Sequence, residues 1–386
     1  MRLIRRLATR RVIEAGRERR ATWLELFFDL VFAAAIAETA GLMRGHFDPA
    51  GLLAFLPFFL LIWWAWVGHT VFSTRFDSDD TVQRLLTAGQ MFLVAVMAAN
   101  AHDDLSGREA AGFAAAFGGM RLLLALQYLR CTGVDASGGL AGREAVRVGS
   151  AAALWIGSSL LPAPARSLTI GAAILVDLLG GHWADRGHRL PLHESHLPER
   201  FGLFILIVLG QLVASVMNGM RHQPDWAPGA AAAAVLGLGL ALTLWWLYFG
   251  VLRVPDPADG AEPLSGLRLA AHLPLCLGIV VASSGIEWVV TTGGTAPAGP
   301  AAAALLAGSL LAIAAPLALF TRRRQVFERE PAGRPLDPAV VMLAGVGAAA
   351  AGLALNRTGA VWVLAALTMA PLATLALLVR GARNRP

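Results

Sequence analysis

The sequence predicts an all-α fold, namely a polytopic membrane protein with about twelve transmembrane helices. Of its 386 residues, 56% are hydrophobic and only 15% are charged. Most windows of about 20 residues, the length that crosses a bilayer as a helix, are apolar on every side. The apolar runs are continuous rather than alternating, which argues against a transmembrane β-barrel.

The predicted spans are separated mostly by short loops, and the distribution of arginine orients them. All 32 basic residues are arginine. With the N-terminus inside, 26 arginines fall on the cytoplasmic side and five on the other, while Arg121 lies in the membrane. The positive-inside rule therefore predicts that both termini are cytoplasmic. The spans are 23–42, 51–72, 82–100, 110–129, 147–162, 167–183, 201–219, 229–251, 268–290, 299–320, 338–354 and 359–379.

The net charge of +6 follows from these arginines. Arginines at helix ends are attracted to an anionic leaflet, so the predicted partners are membrane lipids and not nucleic acid. Cys131 and Cys276 are too few and too far apart in sequence to indicate a metal site or a disulfide framework.

Short matches between the two halves predict an internal repeat. They recur in the same order at offsets of 174, 182 and 184 residues: Glu25-Leu-Phe with Glu199-Arg-Phe, Trp63-Trp-Ala-Trp-Val-Gly with Trp245-Trp-Leu-Tyr-Phe-Gly, and Arg84-Leu with Arg268-Leu. Six helices per unit would give two parallel repeats, related by an axis along the membrane normal. The predicted organisation is a basic cytoplasmic segment at 1–20, repeats at 21–190 and 191–380, and a cytoplasmic tail at 381–386.

Arg121 is the most demanding residue, because it lies near the middle of the apolar stretch 112–129. An unpaired cation there costs at least about 2.5 kcal/mol, so we expect an acidic partner on another helix. Asp29 is the preferred candidate and Asp177 the second. Glu25 and Asp29 share one face of the first helix, and Asp29 lies about 9 Å along it. These four residues are predicted to form a buried charge centre, either an ion or proton pathway or a structural pair that fixes helix register.

Two further clusters of polar residues lie at predicted helix starts. Asp79 and Asp80 are expected to cap the third helix; alternatively, Asp77, Asp79 and Asp80 hold a cation, against the charge of Arg75. The cluster 193–200 lacks the histidine spacing of a zinc site.

Glu199 and Arg200 are therefore interpreted as capping and bridging residues, and Gln211 as suited to helix contacts or a solute path. We expect no metal and no cofactor. The tryptophans are interpreted mostly as an interfacial belt: Trp63, Trp64, Trp66, Trp245 and Trp246.

Six motifs stand out along the chain: Thr22-Trp-Leu-Glu-Leu-Phe-Phe-Asp-Leu-Val-Phe, Trp63-Trp-Ala-Trp, Phe76-Asp-Ser-Asp-Asp, His196-Leu-Pro-Glu-Arg-Phe-Gly-Leu-Phe, Leu244-Trp-Trp-Leu-Tyr-Phe and His272-Leu-Pro-Leu-Cys-Leu-Gly-Ile-Val. Together they resemble the bacterial low temperature requirement protein A family. The resemblance implies a multi-pass protein of the bacterial inner (cytoplasmic) membrane. The family usually has Leu-Gly-Glu where this chain has Leu209-Gly-Gln211, and often an acid where this chain has Gly250.

The buried acids, the predicted repeat and the lack of a recognisable soluble catalytic motif favour a transporter or channel-like permease for a small ion or solute. The alternatives are an intramembrane, lipid-modifying enzyme that uses Glu25, Asp29 or the His193 loop, and a non-catalytic membrane factor. Gln211 and Gly250 imply that two carboxylates of the second repeat are lost.

Overall fold

The computed structural model describes nine helices and one short strand pair. The described residues are 11–12, 22–44, 47–77, 80–101, 109–133, 138–184, 196–223, 225–251 and 266–293, with isolated positions between 302 and 316. The helices are α1 (Trp23–Thr39), α2 (Pro49–Arg75), α3 (Thr81–Ala99), α4 (Glu109–Arg130), α5 (Gly138–Ser159), α6 (Ala163–Ala184), α7 (His196–Arg221), α8 (Pro228–Trp245) and α9 (Gly266–Thr291).

Four short elements complete this list. A 3₁₀ turn, Ala40–Met43, follows α1, and a π-helical turn, Trp246–Val251, follows α8. The strands β1 (Arg11–Val12) and β2 (Phe76–Asp77) pair in antiparallel register, with Arg11 opposite Asp77 and Val12 opposite Phe76.

Seven helical segments in the described part are long and apolar enough to cross a membrane. They are Trp23–Met43, Pro49–Arg75, Thr81–Ala99, Ala110–Arg130, Leu197–Arg221, Pro228–Gly250 and Ala270–Thr291. The protein is therefore a helical, multi-pass membrane protein. Spans 338–354 and 359–379, and most of 299–320, lie outside the described residues, so the count of twelve and the repeat stay predictions.

The fifth and sixth predicted spans correspond to helices, but α5 begins earlier than expected. It starts at Gly138 rather than near 147. The sequence interpretation placed Arg143 before the fifth span and Arg147 at its first position, and counted both on the cytoplasmic side. Instead they lie within α5, and Arg147 makes ion pairs there with Glu144 and with Asp177 of α6.

The chain forms two compact units. The first contains residues up to Thr39 and from Ala54 to Leu203, and so includes the first two turns of α7. Its helices α4 and α5 approach closely, since a Cβ on Gly118 would come within 2.8 Å of the backbone nitrogen of Ile156. Small residues allow such contacts between membrane helices, where tight packing replaces the hydrophobic effect. This packing holds α4 and α5 in fixed register beside α6.

The second unit contains residues 40–53 and the chain from Phe204 onward. Here α8 packs on α9, and a Cβ on Gly237 would lie 2.8 Å from Ile286. Arg44 lies 3.8 Å from Glu287 of α9, and Phe47 stacks against Trp288. These contacts fasten the segment after α1 to the end of α9.

Trp63 and Trp66 are not interfacial, which corrects the interpretation of these two residues as part of an aromatic belt. Both are buried in the first unit, and their rings pack against Phe201 at the start of α7. Trp245 and Trp246 are nearly half exposed, so for these two residues the interfacial position stays a prediction. Burial of Trp66 brings its indole N–H to a polar partner, as buried tryptophans usually require.

Candidate functional site

The start of α1 is fixed by a capping box built from Thr22 and Glu25. The Thr22 backbone N–H donates to Glu25 Oε2 over 2.8 Å, and the Glu25 N–H donates to Thr22 Oγ1 over 3.3 Å. This reciprocal arrangement satisfies backbone donors that the first turn of a helix leaves unpaired. One carboxylate oxygen of Glu25 thus has a local role, while Oε1 lies 3.3 Å from Arg200 Nη1.

Asp29 lies one turn further along α1 and forms the first buried charge centre. Its Oδ1 accepts the Trp66 indole N–H over 2.7 Å and a hydrogen bond from Arg200 Nη2 over 2.5 Å. Both Asp29 and Arg200 are fully buried. Asp29 Oδ2 is also buried but has no hydrogen-bond partner among the described residues. Within the described part of the chain, the carboxylate is therefore held through Oδ1 and not through Oδ2.

A second buried charge centre joins α4, α5 and α6. Arg121 Nε and Nη2 donate to Asp177 Oδ2 and Oδ1 over 3.0 and 2.5 Å, a bidentate pair. Arg147 Nη1 donates to Asp177 Oδ1 over 3.0 Å, and its Nη2 donates to Glu144 Oε2 over 2.6 Å. Two guanidinium groups and two carboxylates thus form a chain without formal net charge, and bidentate geometry is the strongest form of such a pair.

The acidic partner of Arg121 is Asp177, so the sequence prediction that preferred Asp29 was wrong. Asp29 and Asp177 lie at similar depths in their helices, and only the lateral arrangement of helices distinguishes them. The described contacts also separate Glu25, Asp29, Arg121 and Asp177 into two centres, where the sequence suggested that Asp29, Arg121 and Asp177 meet. Arg200, which the sequence assigned to helix capping, instead pairs with Asp29.

The middle of α2 contacts both centres. Trp66 donates to Asp29, and two residues later Gly68 lies against Arg121: a Cβ on Gly68 would come within 2.7 Å of Arg121 Nη1 and 3.2 Å of Leu124. Glycine at position 68 therefore leaves the room that the guanidinium occupies.

The acids of the loop between α2 and α3, Asp77, Asp79 and Asp80, are described only in part. Asp80 caps α3, because its Oδ1 accepts the Gln83 N–H over 2.8 Å, and its Oδ2 lies 2.6 Å from Arg130 Nη2. The prediction that Asp80 caps the third helix is confirmed. Asp79 and the side chain of Asp77 lie outside the described residues, so the alternative cation site is not tested.

Glu199 and Gln211 are both half-buried positions of α7. Gly250 belongs to the π-helical turn after α8, where a Cβ would come within 2.6 Å of Trp246 Cδ1. An acid at position 250 would therefore require the Trp246 ring to move.

Comparison with known proteins agrees with the motifs. Residues 20–379 match the family described as bacterial low temperature requirement A protein. The chain belongs to this family. An uncharacterised protein of Rhizobium meliloti strain 1021 is 26% identical to it over 286 residues, which cover 70% of this chain and 69% of that protein. No solved structure matches the chain significantly.

Three of the motifs that resemble the low temperature requirement A family meet at Asp29. Residues 22–32 supply Glu25 and Asp29, the tryptophan motif supplies Trp66, and the motif at the start of α7 supplies Arg200. Each motif could be recognised in the sequence separately. The sequence did not show that their residues meet at one buried centre. We therefore take the Asp29 centre as the candidate functional site.

Two polar groupings escaped the sequence analysis. His69 of α2, Gln90 of α3 and Gln127 of α4 are all buried in the first unit. In the second unit the Tyr248 hydroxyl lies 2.9 Å from His272 Nε2, which joins the π-helical turn to α9. The available signal was that each of these residues interrupts an otherwise apolar span.

Proposed function

We propose that this member of the low temperature requirement A family is a transporter or channel-like permease in which Asp29 binds a proton or a small cation. One observation carries the proposal: the buried carboxylate of Asp29 is held through Oδ1, while Oδ2 is left without a partner among the described residues. An acceptor of this kind within a membrane span is expensive unless an ion or proton meets it.

The contrast with Asp177 supports a special role for Asp29. Both oxygens of Asp177 accept hydrogen bonds, and its two arginine partners leave no acceptor oxygen over. A purely structural aspartate is expected to resemble Asp177, since each unmade hydrogen bond of a buried group reduces stability. Asp29 Oδ2, which has no hydrogen-bond partner among the residues that the structure describes, is more consistent with a ligand that binds and dissociates.

Arg121, Asp177, Arg147 and Glu144 are accordingly proposed to be structural. Their charges balance, and their contacts tie three helices of the first unit together. Arg121 and Asp177 are therefore not included in the proposed ion pathway. Instead, they form a structural ion pair that fixes the register of the helices. Glu25, Asp29 and Arg200 remain as the candidate ion-linked group.

The location of the permease is part of the same proposal. We place it in the bacterial inner membrane with both termini in the cytoplasm, on the arginine distribution described above. Asp29 then lies in the cytoplasmic half of α1. A cation would reach it from that side along a path lined by polar groups, as membrane-embedded carboxylates usually require.

The direct test is ion flux into proteoliposomes that contain the purified protein. Dyes inside the vesicles report proton, sodium or potassium entry under an imposed gradient. We expect flux with the wild type, strong reduction with Asp29→Asn, and no change with Asp225→Asn, an exposed aspartate between α7 and α8. Equal flux in the wild type and Asp29→Asn would contradict the role of Asp29.

Absence of flux for every ion would count against the permease itself. An altered lipid composition in a deletion strain, without any change in ion flux, would favour the lipid-modifying enzyme instead.

A further inference from the structure

The first unit contains a third polar cluster, distinct from both charge centres. His69, Gln90 and Gln127, on three different helices, are at most 2% exposed. The amides of Gln90 and Gln127 lie next to the imidazole of His69. The other side of the imidazole stacks on Phe28 of α1, with 4.0 Å between the ring centroids. We call these three residues the His69 cluster.

Most hydrogen-bonding atoms of the His69 cluster lack a hydrogen bond of regular geometry. Gln127 Nε2 makes one long hydrogen bond, 3.4 Å, to Thr87 Oγ1. Among the described residues, His69 Nδ1, Gln127 Oε1 and both polar atoms of the Gln90 amide make none, although the two amides lie close enough to the imidazole to interact with it. Buried polar groups are nearly always paired with protein or ordered water. Four buried atoms whose hydrogen bonds are unmade or poorly formed therefore indicate a site that accommodates a further small polar group.

We infer that the His69 cluster binds a small uncharged molecule that both donates and accepts hydrogen bonds. The three side chains offer amide N–H donors, amide carbonyl acceptors and an imidazole nitrogen that can do either. None of the three side chains is a carboxylate or a guanidinium, and the charged groups that act on His69, Arg200 and Glu25 of the Asp29 centre, have opposite signs and pair with each other. Water has the required chemistry, and so does a transported solute of the size of a small amide.

The position of the cluster relates it to the candidate site. Trp66 and His69 are three residues apart on α2; Trp66 contacts Asp29, and His69 contacts Phe28, the neighbour of Asp29 on α1. The assignment of the cluster to a permeation path rests on the proposed function. The capacity of the cluster to bind a small polar molecule does not depend on the proposed function. The binding site and the permease can therefore be disproved independently.

Hydrogen–deuterium exchange at the imidazole C2 position tests the site without any flux measurement. The protein in lipid nanodiscs is incubated in D₂O, and mass spectrometry of its peptides reports each histidine. Two histidines serve as controls: His222 is exposed at the end of α7, and His272 is buried and contacts Tyr248. If water occupies the cluster, His69 exchanges at least about tenfold faster than His272, because a dry buried ring exchanges only in rare opened states.

Substituting the amides distinguishes a built site from general looseness. In Gln90→Leu/Gln127→Leu, apolar side chains of similar size replace the orphaned groups, and exchange at His69 should fall to the rate of His272. If the double variant does not fold, Gln90→Leu alone is tested. It should also slow exchange at His69, but by less than the double variant would. Exchange at His69 as slow as at His272 in the wild type would overturn the inference, and so would fast exchange that survives the substitutions.

A competition arm distinguishes water from solute as the occupant. Acetamide is added to the D₂O as a small neutral probe. Slower exchange at His69, with His222 unchanged, would show that a neutral solute enters the cluster. Unchanged exchange at both residues would assign the cluster to water. If the proteoliposome experiment detected no flux, the proposed permease function would be contradicted. The exchange result at His69 would not be affected.

Discussion

Arg200 Nη2 lies 2.5 Å from Asp29 Oδ1, although 171 positions separate the two residues in the sequence. Both are fully buried, and Glu25 contacts the same guanidinium through Nη1. The contact fastens the start of α7 to the second turn of α1. In an apolar bundle, neither charge is tolerable without the other.

Removing Arg200 alone should therefore damage the protein more than removing the pair. Arg200→Leu leaves the buried carboxylate of Asp29 without its cation, which is expected to cost about 3–5 kcal/mol. Asp29→Leu/Arg200→Leu should recover most of that loss. The measurement is unfolding in mixed micelles of increasing SDS content, with Arg221→Leu at the exposed end of α7 as the control. Equal destabilisation by the single and double variants would contradict the pairing.

Lysine should not replace Arg121. The guanidinium uses two nitrogens on the two oxygens of Asp177, and an ammonium group cannot reproduce that fork. Loss of one hydrogen bond to a charged group predicts about 1.5–3 kcal/mol of destabilisation in Arg121→Lys. The exposed Arg221→Lys should leave the unfolding midpoint unchanged. A stable Arg121→Lys protein would show that the bidentate geometry contributes little.

Arg121 and Arg200 show which parts of the site could be predicted from the sequence and which could not. Hydropathy alone showed that Arg121 is buried and needs an acid, since the cost of an unpaired charge holds in any helical membrane fold. It did not show which acid, because Asp29 and Asp177 have similar depth and no periodicity reports which helices are neighbours. Arg200 was interpreted as a boundary residue because the start of α7 was placed near 201, when it is at His196.

The same reasoning explains what was predictable in the fold. Seven spans follow directly from runs of apolar residues, because only helices satisfy backbone groups in lipid. The start of α5 was missed because charges normally mark loops, whereas Glu144 and Arg147 of this helix are partnered by each other and by Asp177. Local sequence does not reveal charges that are neutralised by a distant residue.

Gly68 should be intolerant of even a methyl group. Its Cβ would approach Arg121 Nη1 to 2.7 Å, and that guanidinium is anchored by Asp177 and has little freedom to withdraw. Gly68→Ala is expected to destabilise by about 1–3 kcal/mol, as overpacking does in well-packed interiors. Gly171→Ala on α6 is the matched control, because no atom lies within 4 Å of its added Cβ. It should be neutral or stabilising by up to about 1 kcal/mol, the helix-propensity gain of alanine over glycine.

If Gly68→Ala matched Gly171→Ala in stability, the close approach of α2 to Arg121 would be wrong. A further check is the combination Gly68→Ala/Arg121→Leu. Because leucine removes the clashing nitrogen, the alanine should then add less destabilisation than it does in the wild-type background, which is the sign of two residues in contact.

Glu25 and Asp29, the two acids in the first two turns of α1, are expected to have different roles. Glutamine at position 25 can still accept hydrogen bonds from Thr22, because a capping box works with glutamate or glutamine. Glu25→Gln should therefore keep the helix start and much of the ion flux, whereas Asp29→Asn should strongly reduce the flux. Thr22→Ala should remove the cap at a cost of about 1 kcal/mol without changing the ion that is transported. Flux in proteoliposomes and unfolding in SDS micelles are measured on the same preparations. Abolition of flux by Glu25→Gln in a stably folded protein would move the ion-linked role from Asp29 to Glu25 or to both.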